Sequence, residues 1–332
     1  MVDDLRWGVL GAGIIAHKLV DAVGRTDGCR LVAVASNTPG KGEAFADKWG
    51  IDAAATYEAL VARADVDVVY VATTHDMHFD NARLALDAGK HALVEKPFTV
   101  NAGQARALAD LARARRLFLM EAMWVRYLPS IVALRDAVAR GAIGELRFLD
   151  IVFGPVPPPQ FQGRLLDPAR AGGASLDLGV YPITFANFLL GAVPSDAGSF
   201  SAPAPTGVDE TAVYQFRYPS GALANIAVSF ALPMAARATL YGTAGRIDFP
   251  DFQAGQTHTV HRYGEGGRIE SRETFTVEND ENGFVHQVEE VRDAVRAGQV
   301  ESAAMPLDET IATMALIDDM RAAWGLRYPF ET

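Results

Sequence analysis

The stretch HALVEKPFTV, residues 91 to 100, contains two side chains that could take part in acid and base chemistry. An apolar run ends in Glu95 and Lys96, and Pro97 follows directly. Adjacent side chains of a strand point to opposite sides, so a simple surface ion pair between Glu95 and Lys96 is the less favoured interpretation. Lys96 could exchange a proton with a hydroxyl or carbonyl group if burial or a nearby positive charge lowers its pKa from about 10.4.

A second candidate pair, Asp177 and Tyr181, lies in the stretch RAGGASLDLGVYPI. Residues four apart share one face of a helix, so this carboxylate and this phenol could enter one pocket. Gly172 and Gly173 would let a cofactor come close to the backbone, and Pro182 could kink or shorten the helix. From these residues alone, a helix without a catalytic role is the favoured interpretation.

The residues Gly11, Gly13 and Ala16 follow the first apolar run with the spacing G-x-G-x-x-A. In a dinucleotide-binding turn, the first glycine permits the tight turn, the second admits a pyrophosphate, and the alanine lets the helix pack closely on the strand. The phosphates then lie at the positive end of the helix. The pattern therefore predicts cofactor contacts at these residues and at Ile14 and Ile15, with a purely structural glycine turn as the alternative.

The second apolar run ends in Ser36, Asn37 and Thr38, without the Asp or Glu that commonly binds the ribose hydroxyls of NAD. Lys41 follows shortly after, and a positive charge there favours the 2′-phosphate of NADP. We therefore expect NADP as the cofactor, bound by Ser36, Asn37 and Lys41, while NAD stays possible. The alternative is that Lys41 lies in a solvated loop and does not bind the cofactor.

The first 125 residues repeat a unit in which an apolar run is followed by a helical pattern. Runs that are apolar on both faces indicate the central strands of a parallel sheet, and their alternation with helices predicts a doubly wound α/β domain. Asn101 and Gln104 have the spacing of a capping box at the start of a helix. The predicted strands span 5–11, 29–36, 67–73, 91–95 and 117–123; the predicted helices span 14–24, 40–49, 56–63, 78–88 and 101–115.

From about residue 145 onward, the pattern changes to strands that alternate between apolar and polar residues. Ala212, Tyr214, Phe216 and Tyr218 form one such series, which is typical of an antiparallel sheet with one buried and one free face. Two closing helices are predicted at 283–297 and 308–324. We expect a Rossmann domain at residues 1–124, and at 125–332 an α+β domain with an open, mostly antiparallel sheet that binds substrate and mediates oligomerisation.

Composition excludes several classes of function. The chain of 332 residues has a net charge of −11 and a pI near 5.1, which argues against nucleic acid or an acidic membrane surface as a partner. The single cysteine, Cys29, excludes an intramolecular disulfide and a cysteine-rich zinc site. The start MVDDLRWGVLG lacks the basic flank of a signal peptide, and the sequence has no apolar stretch of about 18 residues, so we expect a cytoplasmic protein.

The stretches TTHDMH and AGKHALVEKP resemble the Gfo/Idh/MocA oxidoreductases, and the similarity extends over the whole chain. MEAMWVRYLPS, RAGGASLDLGVYPI and MPLDETIATM are similar to the branch of that family that contains dimeric dihydrodiol dehydrogenases and NADP-dependent xylose dehydrogenases. The resemblance implies an NAD(P)-dependent oxidoreductase with a Rossmann domain.

The resemblance also implies roles for individual residues. Lys96 would be the acid/base residue in contact with substrate and nicotinamide ribose, and Pro97 would follow a cis peptide bond. Asp177 and Tyr181 would complete the catalytic set, with tyrosine in place of the more common histidine. Further contacts to the cofactor are implied at Thr73, His78, Glu95 and Arg164; for Thr73 and His78, a helix-capping role is the alternative.

The implied reaction is hydride transfer between nicotinamide and a cyclic polyol, most simply the oxidation of an aldopyranose at C1. A trans-dihydrodiol dehydrogenase, a keto-sugar reductase and a non-catalytic NAD(P)-binding sensor are alternatives. No metal site is expected, because His75 and His78 have no third ligand nearby, and His258 and His261 are interpreted as surface residues. The open sheet suggests a homodimer or a higher homo-oligomer.

Overall fold

The computed structural model describes residues 4–331, which fold into two compact units. The first unit contains the described residues up to Trp124 together with Asp280–Met314, and the second contains Val125–Asn279 and the residues from Ala315 onward. The segment 280–314 thus differs from the expected division into 1–124 and 125–332. It packs with the first unit because the Asn282 amide donates to the Lys18 carbonyl and the Asp21 carboxylate.

Strands and helices occupy most of the described chain. The helices are α1 (Ile14–Arg25), α2 (Lys41–Trp49), α3 (Tyr57–Val61), α4 (His78–Asp87), α5 (Ala102–Arg115), α6 (Pro129–Ala139), α7 (Pro159–Leu165), α8 (Val180–Leu190), α9 (Val285–Arg296) and α10 (Leu307–Ala323). The strands are β1 (Leu5–Leu10), β2 (Cys29–Ala35), β3 (Asp52–Ala54), β4 (Val68–Val71), β5 (His91–Val94), β6 (Leu119–Glu121), β7 (Leu146–Gly154), β8 (Asp196–Pro203), β9 (Asp209–Arg217), β10 (Leu223–Ser229), β11 (Met234–Gly242), β12 (Gly245–Phe249), β13 (Thr257–Tyr263) and β14 (Ile269–Thr276).

The first unit contains a parallel sheet of six strands in the order β3-β2-β1-β4-β5-β6. Its central strands are buried throughout, as β4 illustrates, because helices separate consecutive strands and cover the sheet. The order reverses between β1 and β4, so the carboxyl ends of β1 and β4 flank the switch point at which such sheets bind ligands. The expected doubly wound domain is confirmed.

The sequence signals for the start of α5 and the end of α10 are also confirmed. The Asn101 side chain accepts a hydrogen bond from the Gln104 backbone N–H at 3.0 Å, which fixes the start of α5. The Gln104 side chain in turn accepts from the backbone N–H of Val100, one residue before the expected partner. Helix α10 ends before Gly325, whose positive φ of 71° suits the residue after a helix.

The second unit is built on an open sheet of eight strands in the order β14-β13-β12-β11-β7-β10-β9-β8. Only β7 and β10 pair in parallel, and all other neighbours are antiparallel. One face of β9 is buried, with Tyr214 and Phe216 in the core, while Val213 and Gln215 of the other face are exposed. The expected mostly antiparallel sheet with one free face is confirmed.

The interpretation of His258 and His261 as surface residues is wrong. Both lie on β13 and are almost fully buried. The His258 ring stacks on Phe275 with centroids 5.4 Å apart, and Nε2 of His261 lies 2.9 Å from an Asp248 carboxylate oxygen. Their odd spacing does place them on opposite sides of the strand, but neighbouring strands bring side chains that cover both sides.

Candidate active site

The glycine turn after β1 has the geometry that a dinucleotide requires. Gly11 has a φ of +99°, and a Cβ there would meet the backbone of Ala72, so no other residue fits. Gly13 instead borders open space, since a Cβ at this position would have no atom within 4 Å. Ala16 is buried against the sheet, as its place in the motif predicts. The turn is thus tight at Gly11 and open at Gly13.

Helix α1 begins directly after this open space, so its positive N-terminal end borders it; the Ala16 N–H already donates to the Gly13 carbonyl at 3.1 Å. No side chain caps its first turn, and no acidic residue lies in it. Ile14 is 66% exposed at the first helical position, although it is a large apolar residue, and Ile15 is half-buried. An uncapped positive helix end beside an exposed glycine fits a pyrophosphate, and this observation supports NADP at Gly11, Gly13 and Ile14 to Ala16.

The carboxyl end of β2 offers polar groups but no carboxylate to the adenosine side of such a cofactor. Ser36 is half-buried and its hydroxyl accepts from the Thr38 backbone N–H, while Asn37 is exposed. Lys41 is the exposed first residue of α2, after Gly40. These side chains fit a 2′-phosphate, because the lysine supplies positive charge and the loop supplies hydrogen-bond donors.

The turn after β4 is tied to the lysine-containing turn after β5 by one histidine. His78 is fully buried, with Nδ1 2.8 Å from the Pro97 carbonyl oxygen and Nε2 3.2 Å from the Thr73 carbonyl oxygen. The Asn81 amide also donates to the Thr73 hydroxyl at 3.1 Å. Burial and the nearby charge of His75 lower the pKa of His78 to about 3, so the ring is neutral. The structure therefore brings Thr73 and His78 together beside Pro97.

The peptide bond between Lys96 and Pro97 is cis, as the family resemblance implies. The buried Glu95 carboxylate accepts a hydrogen bond from the Tyr70 hydroxyl and a longer one, at 3.2 Å, from the Lys96 backbone N–H. On the far side of the turn, the Phe98 backbone N–H donates to the buried Glu121 carboxylate at 3.1 Å. Lys96 itself is only half-buried. The backbone on both sides of the lysine is thus hydrogen-bonded to a buried carboxylate.

In the second unit, Asp177 lies in one turn of π-helix, Ser175–Gly179, which leads directly into α8. Tyr181 is the second residue of α8 and is buried, with its ring edge-on to Phe153 at 5.9 Å. Asp177 is half-buried. Pro182 is the third residue of α8, and the helical backbone of the π-turn continues through it to Leu190, so the proline does not end the helix.

A polar network below this turn was not predicted from the sequence. The Asp209 carboxylate accepts from both the backbone N–H and the hydroxyl of Ser175, and the Tyr214 hydroxyl lies 2.6 Å from the Ser175 hydroxyl. Burial raises the pKa of Asp209 to about 6. Asp209 opens strand β9 beside a second acidic residue, Glu210, so the sequence does not single it out. Glu121 and Tyr70 of the first unit were also missed, because each stands within an apolar run.

The remaining candidates are placed as follows. Arg164 is a half-buried residue of α7 in the second unit. Lys96 belongs to the first unit, whereas Asp177 and Tyr181 belong to the second.

Within residues 4–331, no three His, Cys, Asp or Glu side chains are grouped so that they could hold a metal ion. In the same part of the chain, every helix is too short or too polar to cross a bilayer.

Two family models match the chain. The model described as the oxidoreductase family, NAD-binding Rossmann fold, matches residues 5–123. The model described as the GFO/IDH/MocA C-terminal domain matches residues 131–248. The two matches together cover more than half of the sequence.

Curated proteins are similar to this chain over nearly its full length. It is 32% identical to the trans-1,2-dihydrobenzene-1,2-diol dehydrogenase of Mus musculus, with 98% of each chain covered. It is 33% identical to the D-xylose 1-dehydrogenase (NADP(+)) of Hypocrea jecorina, with 98% of this chain and 93% of the relative covered.

Solved structures are similar as well. A 3-ketoreductase from Actinomadura kijaniata in complex with NADP and TDP-benzene has a TM-score of 0.85 at 27% identity, with 96% of this chain and 98% of the relative covered. Variants of that enzyme with a tyrosine changed to phenylalanine and with a lysine changed to alanine have also been crystallised. An aldose-aldose oxidoreductase from Caulobacter crescentus shares the fold, with a TM-score of 0.86 at 23% identity and coverage of 97% and 98%.

Proposed function

The chain belongs to the Gfo/Idh/MocA oxidoreductase family, and we propose that it is an NADP-dependent dehydrogenase or reductase that acts on a CH–OH group of a cyclic polyol. The observation that carries this proposal lies in the first unit. The carboxyl ends of β1, β4 and β5, which are adjacent strands, carry the open glycine turn, Thr73 and the Lys96 turn. A cofactor site and a candidate acid/base group therefore meet at one edge of one sheet.

Cofactor binding is assigned to the residues at that edge. The uncapped N-terminus of α1 would hold the pyrophosphate, and Ser36, Asn37 and Lys41 would bind the 2′-phosphate. Thr73, His78 and Glu95 support the nicotinamide end mainly through backbone positions, and Arg164 of the second unit is a further proposed contact. Bound NADP would supply the hydride acceptor, and NADPH the hydride donor.

Lys96 is the proposed acid/base residue. In the direction of oxidation, its neutral amine takes the proton of the substrate hydroxyl, and in reduction the ammonium gives it back. Its half-buried side chain extends from a turn whose backbone N–H groups donate to Glu95 and Glu121, and these bonds hold the backbone at Lys96 in place. Asp177 would orient substrate hydroxyls, and Tyr181 would assist the proton transfer.

The proposed substrate is an aldopyranose of the xylose or glucose type, oxidised at C1. This choice rests on the relative that is an NADP-dependent D-xylose 1-dehydrogenase. A second candidate is an aromatic trans-dihydrodiol, favoured by the similarity to dihydrodiol dehydrogenases. Reduction of a keto-sugar is a third, favoured by the 3-ketoreductase.

The experiment that tests this function is the absorbance of reduced nicotinamide during incubation with NADP or NAD and a panel of D-xylose, D-glucose and a trans-dihydrodiol. Formation of NADPH with a sugar would support sugar oxidation, and preference for the diol would select the second candidate. The reverse assay offers NADPH with keto-sugars. Tight binding of NADPH without turnover in either direction would contradict the proposal that the protein is an enzyme, and would favour a non-catalytic sensor with the same fold.

We also propose that the protein forms a homodimer through the free face of the open sheet. Phe148 pairs with Leu223 on one side and Tyr241 on the other, with the Phe148 and Tyr241 rings 5.9 Å apart. Val213 lies further along the same face on β9, opposite Ala227, and each of the four side chains is more than a third exposed. Tyr214 and Phe216 of the same strand face the core of their own unit instead. A cytoplasmic location remains part of the proposal.

A further inference from the structure

Three glycines around the Asp177 segment allow other groups to approach the backbone closely. Gly173 has a φ of +130°, and a Cβ there would collide with the Asp209 carboxylate. A Cβ at Gly179 would lie 2.8 Å from the Tyr214 hydroxyl. A Cβ at Gly172 would lie 2.6 Å from the Leu165 carbonyl oxygen. The segment is therefore pressed onto the polar network below it, and glycine is required where Asp209 and Tyr214 make contact.

The hydrogen bonds of this network have one consistent direction. The Ser175 hydroxyl has a single proton and lies 2.6 Å from the Asp209 carboxylate, which can only accept when ionised. The Tyr214 hydroxyl must then donate to the Ser175 oxygen. The Ser175 backbone N–H donates to the same Asp209 oxygen at 2.7 Å. Asp209 thus holds the first residue of the π-helical turn through both its backbone and its side chain.

The groups around Asp209 and the turn, Tyr328 and Arg321 among them, all belong to the second unit. The Tyr328 hydroxyl donates to the carbonyl of Gly172 at 2.7 Å, which holds the backbone three residues before the turn. The buried Arg321 guanidinium lies 4.6 Å over the Tyr328 ring and pairs with Asp318 and Glu331. The charge of Arg321 favours an ionised Asp209, but burial has the larger influence on this carboxyl. One carboxylate oxygen of Asp209 has no hydrogen-bond partner among the described residues.

We propose that Asp209 is a positioning residue, which fixes the turn Ser175–Gly179 through Ser175 and thereby sets the positions of Asp177 and Tyr181. A π-helical turn is an uncommon backbone conformation that often occurs at functional sites, and it needs contacts outside the helix to persist. Here the contacts are the two charge-assisted bonds to Ser175. The catalytic part of this inference rests on the proposed function, whereas the effect on the turn does not.

The network also gives the turn a dependence on pH. Because the pKa of Asp209 is about 6, the carboxylate is ionised at pH 7.5 and becomes protonated as the pH falls below 6. Protonation replaces charge-assisted bonds by neutral ones, which are about half as strong. The ionisable groups that face Asp209 are Tyr214, Tyr328 and Arg321, and the pKa of both tyrosines is raised by burial, so none of them titrates between pH 5 and 8.

The test compares Asp209→Asn with Thr211→Val, which removes a side-chain hydroxyl from the same strand, where it lies 2.6 Å from the Ser229 hydroxyl. Hydrogen exchange of peptides covering residues 173–185 is measured at pH 7.5 and pH 5 and corrected for the intrinsic rate. At pH 7.5, we expect exchange in Asp209→Asn to be faster than in the wild type, and exchange in Thr211→Val to equal that of the wild type. Lowering the pH to 5 should speed exchange in the wild type by the same factor as the Asp209→Asn substitution. The unfolding temperature of Asp209→Asn at pH 7.5 should not fall, because a buried charge is removed.

Kinetics then test the effect on catalysis. With the best substrate of the panel, we expect kcat of Asp209→Asn to fall about 10- to 100-fold, because misplacement by an ångström can cost that much, with an unchanged Kd for NADPH. The decline of wild-type kcat below pH 6 should be absent in this variant. Wild-type exchange in Asp209→Asn, or faster exchange with an unchanged kcat and pH profile, would overturn the proposal. If the wild type has no turnover, the proposed function fails, while the exchange result still decides the effect on the turn.

Discussion

The ring of His78 connects two neighbouring turns of the first unit, because its Nδ1 lies 2.8 Å from the carbonyl oxygen of Pro97 while its Nε2 faces the Thr73 carbonyl at 3.2 Å. A neutral imidazole has only one N–H, and the shorter distance indicates that it is donated to Pro97. The contact adjoins Lys96, so the histidine supports the candidate acid/base residue through its backbone. The ring of His78 is almost completely buried and both of its nitrogens face backbone carbonyls. A contact between His78 and the cofactor is therefore still a prediction.

Replacement of His78 should therefore weaken the lysine-containing turn. We expect His78→Ala to leave a buried carbonyl without its donor, at a cost of about 1–3 kcal/mol in the free energy of unfolding. The same change should lower kcat. His75→Ala is a neighbouring control that does not remove the Pro97 contact. Denaturant unfolding of both variants and of the wild type checks the prediction, and equal stability of His78→Ala and wild type would contradict it.

The pKa of His78 also predicts a loss of stability in acid. Its folded value of about 3 lies below the unfolded value of about 6.5, so the unfolded state binds the proton more tightly. The stability is complete above pH 6.5 and is lost as the pH falls from 6.5 toward 3, on the order of a few kcal/mol. Asp209 has the opposite effect on the free energy of unfolding. Because its folded pKa is raised, its ionisation lowers the stability as the pH rises from about 4 to 6. His78→Gln should flatten the acid limb of the stability profile, and an unchanged limb would contradict this assignment.

The two glycines of the nucleotide turn should respond differently to substitution. Gly13 has a φ of −82° and open space around it, so Gly13→Val should fold with unchanged stability and lose NADPH binding, because the side chain fills the phosphate position. Gly11→Ala should instead destabilise the fold, since Gly11 has a positive φ and faces the Ala72 carbonyl. Thermal unfolding and titration of NADPH fluorescence separate the two effects. Tight NADPH binding by Gly13→Val would contradict the assigned site.

Lys41 should determine the preference for NADP. We expect Lys41→Glu to raise the KM for NADP about 10- to 100-fold, the equivalent of one lost charge-assisted contact, with little effect on NAD. Lys48→Glu makes the same charge change in the last turn of the same helix and serves as the matched control. If both variants raise the KM equally, the effect comes from net charge and Lys41 has no specific contact.

Dimerisation through the free sheet face can be tested at Leu223. Leu223→Lys puts a charge beside Phe148 in the apolar area and should shift the protein to a monomer at micromolar concentration. Leu232→Lys changes an equally exposed leucine in the turn between β10 and β11, outside the paired strands. Size-exclusion chromatography with light scattering measures the mass. A monomeric wild type, or a dimeric Leu223→Lys, would contradict the proposed interface.

Much of the fold could be predicted from the sequence, because buried parallel strands leave long apolar runs and the glycine turn has a strict spacing. The strand Asp52–Ala54 was missed, since three small or polar residues at a sheet edge give no such run. The place of 280–314 in the first unit could not be predicted either. Its apolar periodicity indicates a helix, but the partner of that helix is decided by long-range contacts such as those of Asn282.

The candidate site was predictable at the residues that belong to spaced motifs, such as Lys96 and Asp177. The groups that hold those residues were not, because Glu121, Asp209 and Tyr214 are single residues distant in sequence from what they contact. The same holds for His261, whose burial depends on the side chains of neighbouring strands. A pattern of residues records which faces are apolar, whereas a buried hydrogen-bond network depends on which chain segments meet.

The central claim is that Lys96 exchanges the proton with the substrate, and the most direct test is kcat of Lys96→Met together with its Kd for NADPH. Lys48→Met, which removes an exposed lysine of α2, is the control. Loss of a general acid or base should lower kcat about 10²- to 10⁴-fold while the Kd for NADPH stays within a few-fold of the wild type. Full turnover by Lys96→Met, with normal binding of NADPH, would contradict the account.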